Sequence, residues 1–364
     1  MFDAEGLIRE HVRALEPYQP IRPFEVLSEQ LGLPVEEIIK LDANENPYGP
    51  HPDVLQTLGA IRFTHIYPDP ESIHLRRALA DKYKLPFENI LAGAGADELI
   101  DLIMRLFLDP GDAILYCPPT FGMYSFDADV NDARAIPIPR RMDFSLDLEA
   151  IEAAVEKNAP KLLFLTSPNN PDGGLVSPDQ LARLLQLPLV VILDEAYVEF
   201  APRGTSRMQE AASRSNLIVL RTFSKWAGLA GLRIGFGVFP TSLMGHLWKI
   251  KQPYNVSVVA SGAAMASLKV SDALDQVGER IISERGRLYD ALQQVTFLQP
   301  YPSQANFVLC RVTSGSAADL KAGLASKGIL IRYFNKPGLQ DYIRISVGKP
   351  EHTDALIEAL RGME

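Results

Sequence analysis

The sequence predicts an α/β fold with a large domain on a mostly parallel sheet flanked by helices, a smaller α/β C-terminal domain and an N-terminal arm. Three observations predict it. Short runs at residues 89–91, 113–116, 133–138, 162–166, 189–193 and 217–221 are rich in Val, Ile and Leu. Such near-continuous apolar runs belong to parallel strands buried on both faces. Amphipathic stretches separate several of them: in 97–107, Leu99, Ile100, Ile103, Leu106 and Phe107 share one helical face, and 147–157 and 178–185 read similarly. Near Val258 the texture changes: a small-residue helix at 258–268 leads into a long charged helix at 272–295.

Beyond it lie strands at 307–310, 330–333 and 342–346, a helix at 317–327 and a last helix from Pro350. Residues 1–39 form an irregular arm with one helix near its start. The expected domains are an arm at 1–40 packing with the small domain and a partner subunit, a large domain at 41–257 and a small domain at 258–364. A chain of 364 residues is long enough for two cores.

Composition narrows the function. With 36 basic and 45 acidic residues the net charge is −9, which argues against a nucleic-acid partner. The two cysteines, Cys117 and Cys310, make no disulfide framework, and no metal-ligand spacing is present. Residues 1–10 carry acidic residues where a signal peptide carries a basic patch, and the longest apolar runs are strand-length, so no membrane partner and a cytoplasmic location are expected.

Ligands of open α/β sheets bind outside the carboxyl ends of the strands, so the residues after each strand are the candidates. They are Gly93-Ala94-Gly95-Ala96-Asp97-Glu98, Ser167-Pro168-Asn169-Asn170-Pro171, Asp194-Glu195-Ala196-Tyr197 and Thr222-Phe223-Ser224-Lys225. Each has an ordinary alternative. The glycine stretch lacks the third glycine of a dinucleotide fingerprint and reads equally as a tight turn. Asp194 also reads as a helix cap, Asn169-Asn170-Pro171 as a turn and Lys225 as a surface lysine. Delivery of Gly, Asn, Asp, Tyr, Ser and Lys to one edge says more than any single segment.

In order and spacing these segments, with Gly231-Leu232-Arg233-Ile234-Gly235, resemble the fold-type I, class I/II aminotransferases that use pyridoxal 5′-phosphate (PLP). The resemblance runs from about Leu41 to the C-terminus. It implies Lys225 as the catalytic residue, holding the cofactor as a Schiff base and moving the substrate proton. It implies Asp194 against the pyridine nitrogen, Asn170 and Tyr197 donating to the ring oxygen, and Phe121 stacking on the ring, where many relatives have Tyr. Gly95, Ala96 and Asp97 would cradle the phosphate at a helix N-terminus, with Thr222, Ser224 and Arg233 adding contacts. Phe121 also reads as a core residue.

Residues 41–50 (LDANENPYGP), Tyr67-Pro68, residues 116–120 and 229–233, and Pro17-Tyr18 are closer to one subfamily, the histidinol-phosphate aminotransferases. That likeness implies transamination between L-histidinol phosphate and 2-oxoglutarate, giving imidazole-acetol phosphate and L-glutamate in histidine biosynthesis. It implies a homodimer in which Tyr67 reaches the partner's cofactor phosphate and Tyr18 closes over substrate. Arg332 and Arg344, with Asn170, would bind substrate. An aromatic amino acid aminotransferase and a threonine-phosphate decarboxylase are the alternatives on the same scaffold. A PLP-binding regulatory domain is a further one, but the acidic chain leaves no room for a DNA-binding module. Asp172, where many relatives have Thr, and Trp226 depart from the pattern beside the cofactor.

Overall fold

The computed structural model describes residues 4–17 and 22–363. Among them are the strands β1 (Ile39–Leu41), β2 (Ile90–Gly93), β3 (Ala113–Tyr116), β4 (Arg134–Pro137), β5 (Leu162–Thr166), β6 (Val190–Asp194), β7 (Leu217–Thr222), β8 (Gly235–Val238), β9 (Leu298–Pro300), β10 (Phe307–Val312), β11 (Ile329–Tyr333) and β12 (Tyr342–Ser346). They form a seven-stranded sheet of order β2-β8-β7-β6-β5-β3-β4 and a five-stranded sheet of order β1-β11-β12-β10-β9. In the larger sheet β4, β3, β5, β6 and β7 run parallel, and only β8 is reversed.

The apolar runs serve two cores because successive side chains of a strand face opposite ways. Leu163, Leu165, Val191, Leu193, Leu217 and Val219 point to one face, and Leu162, Phe164, Ile192, Ile218 and Leu220 to the other. Each such side chain contributes roughly 1.5–3 kcal/mol when fully buried.

Strand β8 has no signal in the sequence reading because Gly235 and Gly237 give it little strand propensity. Glycine at 235 is a packing requirement. A Cβ there would sit 2.8 Å from both Ala96 N and Arg221 O. The sequence reading also passed over β1, β9 and the helices Pro52–Gly59, Ile73–Tyr83, Met123–Val130, Met208–Ser213 and Thr241–Ile250.

The cores of the large and small sheets divide the chain differently from the boundary expected at 258. The helix Val258–Lys269 presents Ala260, Ala263, Ala264 and Ala266 to the large-sheet core, against the helices Pro52–Gly59 and Ile73–Tyr83. Small side chains let these helices approach closely. The change of core falls inside the next helix, Ser271–Leu292: Leu274 packs with the large sheet, and Ile281, Leu288 and Leu292 with the small one. At the other end the described arm holds two short helices, Glu10–Arg13 and Phe24–Leu31. It ends in β1, which pairs in parallel with β11, Ile39 opposite Ile329 and Leu41 opposite Ile331. Leu41, expected to open the large domain, is therefore part of the small sheet. Among the described residues no helix is long and apolar enough to cross a membrane.

One buried acid works against the fold. Asp127, on the helix Met123–Val130, is buried with its Oδ2 lacking a hydrogen-bond partner. Burial, then the negative charges of Asp101 and Asp97, pushes its carboxyl up to about 7. A raised folded pKa means stability that is fully present below the unfolded value and lost as pH rises through the folded one. Asp127→Asn should therefore raise Tm by a few degrees at pH 8, a gain on the order of 1–2 kcal/mol. Melting curves of both proteins from pH 4 to pH 8 should show the gap closing toward pH 4. A gap independent of pH would contradict the assignment.

Candidate active site

Register brings the strand ends to one edge. Thr166 pairs with Asp194 across β5 and β6, and Gly235 at the start of β8 pairs with both Thr222 and Gly93. A cavity of about 150 Å³ lies outside this edge. Ten of the residues singled out in the sequence line it: Ala96, Asp97, Phe121, Asn170, Asp194, Tyr197, Thr222, Ser224, Lys225 and Arg233. Thr166, Ala196 and Ala230 complete the wall.

Lys225 follows the turn that ends β7. Thr222 Oγ1 accepts from Ser224 N at 3.1 Å and donates to Ser224 Oγ at 2.9 Å, which shapes that turn. The Lys225 amine donates to Ala43 O at 3.1 Å and lies 6.0 Å from the centre of the Tyr197 ring. Burial, then the Arg344 charge, lowers its pKa to about 8. The loop that carries it packs on residue 49: a Cβ at Gly228, whose φ is +68°, would sit 2.6 Å from the Gly49 carbonyl.

Asp194 is buried beneath the same cavity. Tyr124 Oη donates to its Oδ2 at 2.9 Å and Ala196 N to its Oδ1 at 3.0 Å. Burial raises its carboxyl to about 6 against the pull of these bonds. A carboxylate so desolvated is completed by a cationic partner. Tyr124 also pairs with Thr166 Oγ1 at 2.7 Å, and Thr120 links Thr166 to Asn169 at 3.2 and 2.8 Å. Sequence reasoning missed Tyr124 and Thr166. Both had a signal: Thr166 ends an apolar strand, and Tyr124 stands three residues after Phe121, whose ring meets it edge-on at 5.6 Å.

The helix Ala96–Phe107 opens at the cavity, so its free N–H groups favour an anion there. Gly95 precedes it with φ +87°, and a Cβ there would lie 2.6 Å from Arg233 Nη2. Glycine thus lets the guanidinium reach the helix start, where it pairs with Asp97 Oδ2 at 2.6 Å.

Arg344 is not among the residues lining the cavity but bonds to Asn170, which is. It donates through Nη1 to Asn170 Oδ1 at 2.6 Å and through Nη2 to Asp42 O at 2.7 Å. A guanidinium only donates, so it fixes the Asn170 amide with its oxygen toward Arg344 and its NH₂ end away. Arg332 stands opposite Arg344 in the β11–β12 pairing. Both guanidiniums approach Phe334, at 5.9 and 5.7 Å from its ring centre.

The structure does not bring Tyr67 to this chain's cavity. Its side chain is 79% exposed and stacks on Tyr254 at 4.7 Å. Tyr18 lies outside the described residues. The two departures are absorbed by packing. Buried Asp172 accepts from Asn169 Nδ2, and from Gly174 N at 2.8 Å. Trp226 Nε1 donates to Asp275 at 3.1 Å. Neither lines the cavity.

The family model for class I and II aminotransferases matches residues 36–360. The chain belongs to this family. Its curated relatives include histidinol-phosphate aminotransferases from Nicotiana tabacum, a chloroplastic protein, and Roseiflexus castenholzii. The first is 58% identical over 98% of this chain and 86% of its own length, the second 54% identical over 98% of each. Among solved structures, a histidinol-phosphate aminotransferase from Sinorhizobium meliloti in complex with pyridoxal-5′-phosphate superposes with a TM-score of 0.88. It is 30% identical, with 98% of each chain covered. The subfamily resemblance read from the sequence is borne out by these relatives, and the α/β fold class by the superposition.

The lowered pKa of Lys225 has a direct readout. In the cofactor-free protein, acylation of Lys225 followed by peptide mapping should be half-maximal near pH 8. Surface lysines should respond near their ordinary value of about 10.4. Half-reaction of Lys225 above pH 10 would mean that the amine is not desolvated as described.

Proposed function

We propose that this aminotransferase uses PLP bound at Lys225 to exchange the amino group between L-histidinol phosphate and 2-oxoglutarate, giving imidazole-acetol phosphate and L-glutamate in histidine biosynthesis. The observation that carries the reading is a buried amine and a buried carboxylate, Lys225 and Asp194, in one cavity with an anion-favouring helix start. That donor set fits the cofactor, because its ends ask for a cation at Asp194 and an anion at residues 95–97. The glycine at 95 lets the Arg233 guanidinium reach the second place.

PLP, when bound, supplies an electron sink for the pair released from a substrate C–H bond. The protein's residues do the rest. Asp194 holds a proton on the ring nitrogen, and the bond from Tyr124 fixes its direction. The free NH₂ end of Asn170 and the Tyr197 hydroxyl donate to the ring oxygen. Phe121 stacks on the ring. N–H groups of Gly95, Ala96 and Asp97, the hydroxyls of Thr222 and Ser224, and Arg233 hold the phosphate. An amine titrating near 8 is partly neutral at physiological pH, so Lys225 is poised to add to a carbonyl carbon. With substrate in place the same amine would take the proton from the substrate carbon and hold it for return.

Arg344 and Arg332 are the groups suited to anionic ends of substrate, the glutamate carboxylate or the histidinol phosphate. Exposed Phe63, Ile66 and Tyr67 give the large domain an apolar surface suited to a second copy. In that homodimer Tyr67 would serve the neighbouring site, and Tyr18 would close over substrate. The cytoplasmic location of the sequence reading belongs to the same proposal.

Steady-state comparison of amino donors tests the substrate. Histidinol phosphate should exceed phenylalanine in kcat/KM by two orders of magnitude or more, that is, by about 3 kcal/mol. Arg344→Ala should raise the KM for histidinol phosphate and for glutamate, by about 1.5–3 kcal/mol for one lost charge-assisted contact. Equal use of phenylalanine would move the assignment to the aromatic enzymes, and release of CO₂ from threonine phosphate would move it to the decarboxylases. For the shared site, hybrids of Lys225→Ala and Tyr67→Phe subunits should be more active than either parent.

A further inference from the structure

The segment after β1 passes under three groups of the site. Asp42 O accepts from Arg344, Ala43 O accepts from Lys225, and Asn44 reaches Tyr197. Asn44 is buried and has φ +55°, a left-handed backbone that Asn adopts more readily than most residues. Its backbone is tied to the small domain: its N–H donates to Ser346 Oγ at 2.8 Å, and its carbonyl accepts from Asn306 Nδ2 at 2.9 Å. Its side chain bridges onward. Oδ1 accepts from Ser346 Oγ at 2.9 Å, and Nδ2 donates to Tyr197 Oη at 3.2 Å.

These bonds fix a proton's direction. Ser346 Oγ already accepts from the Asn44 backbone, and its single proton goes to Asn44 Oδ1. The amide nitrogen therefore faces Tyr197. An amide N–H only donates, so the phenol oxygen must accept, and the phenol's own proton is left for an acceptor in the cavity that Tyr197 lines. We infer that Asn44, oriented by Ser346, is a positioning residue that makes Tyr197 a hydrogen-bond donor into the cavity. Ser346 lies on β12 and Tyr197 just past β6, so the donor's direction depends on contact between the two sheets. The inference rests on the proposed cofactor only in naming the acceptor, the ring oxygen.

The test is the pH midpoint of the visible absorption of the PLP-loaded protein. A carboxylate at position 44 only accepts, so Asn44→Asp turns the Tyr197 proton away from the ring oxygen. Loss of a donor to an anionic oxygen should raise the midpoint by on the order of one pH unit. Tyr197→Phe should raise it similarly, and adding Asn44→Asp to Tyr197→Phe should raise it no further. Ser346→Ala frees the amide to turn over and should shift the midpoint the same way, again only when Tyr197 is present; it serves as the test if Asn44→Asp does not fold. An unmoved midpoint in both variants, or an equal shift in the Tyr197→Phe background, would overturn the role of Asn44. Failure of the cofactor reading looks different: the wild-type protein with PLP would then show no visible band at all.

Discussion

Six strands of the large sheet run in one direction, and every functional placement depends on that. Parallel strands share an edge for their carboxyl ends, and the turns that leave this edge carry Asn170, Asp194, Tyr197, Ser224 and Lys225 to one cavity. The reversed strand β8 fits among them only because Gly235 has no side chain to strike the backbone of the glycine loop. Burial of this edge then does the electrostatic work. The same desolvation lowers the Lys225 amine to about 8 and raises the Asp194 carboxyl to about 6. Two groups that repel the interior when charged are thereby made ready for partners of opposite need.

Groups that can only donate orient two of the site's side chains. Arg344 only donates, so it sets the Asn170 amide, and the Asn44 amide nitrogen only donates, so it sets the Tyr197 hydroxyl. Under the proposed function both would address the ring oxygen as donors whose directions are fixed before anything binds, which is preorganisation. Both fixing groups involve the small sheet. Arg344 and Ser346 share β12, and Asn44 follows β1. Under the proposed function the small domain would act on the chemistry through its bonds to Asp42 and Asn44.

The sequence reading found what is local. Buried parallel strands announce themselves as apolar runs, and the rule that ligands sit past their carboxyl ends led to Lys225, Asp194 and Asn170. It failed where a role is set by distant packing. Strand β8 is too rich in glycine to register as a strand. The alanines of Val258–Lys269 carry no label saying which core they join, so the boundary came out early. Tyr124 and Asn44 matter through partners 70 and 153 residues away, which no periodicity reports. Tyr67 faces solvent in a single chain, so the role proposed for it in a neighbouring site leaves no mark within one chain.

Chemical trapping shows which amine anchors PLP, and the proposed function requires that it be the buried amine of Lys225. Protein incubated with PLP, reduced with borohydride, digested and mapped should carry the pyridoxyl group on the peptide containing Lys225, and Lys225→Ala should carry none. A pyridoxyl group on any other lysine, with Lys225 unmodified, would mean that Lys225 is not the anchor.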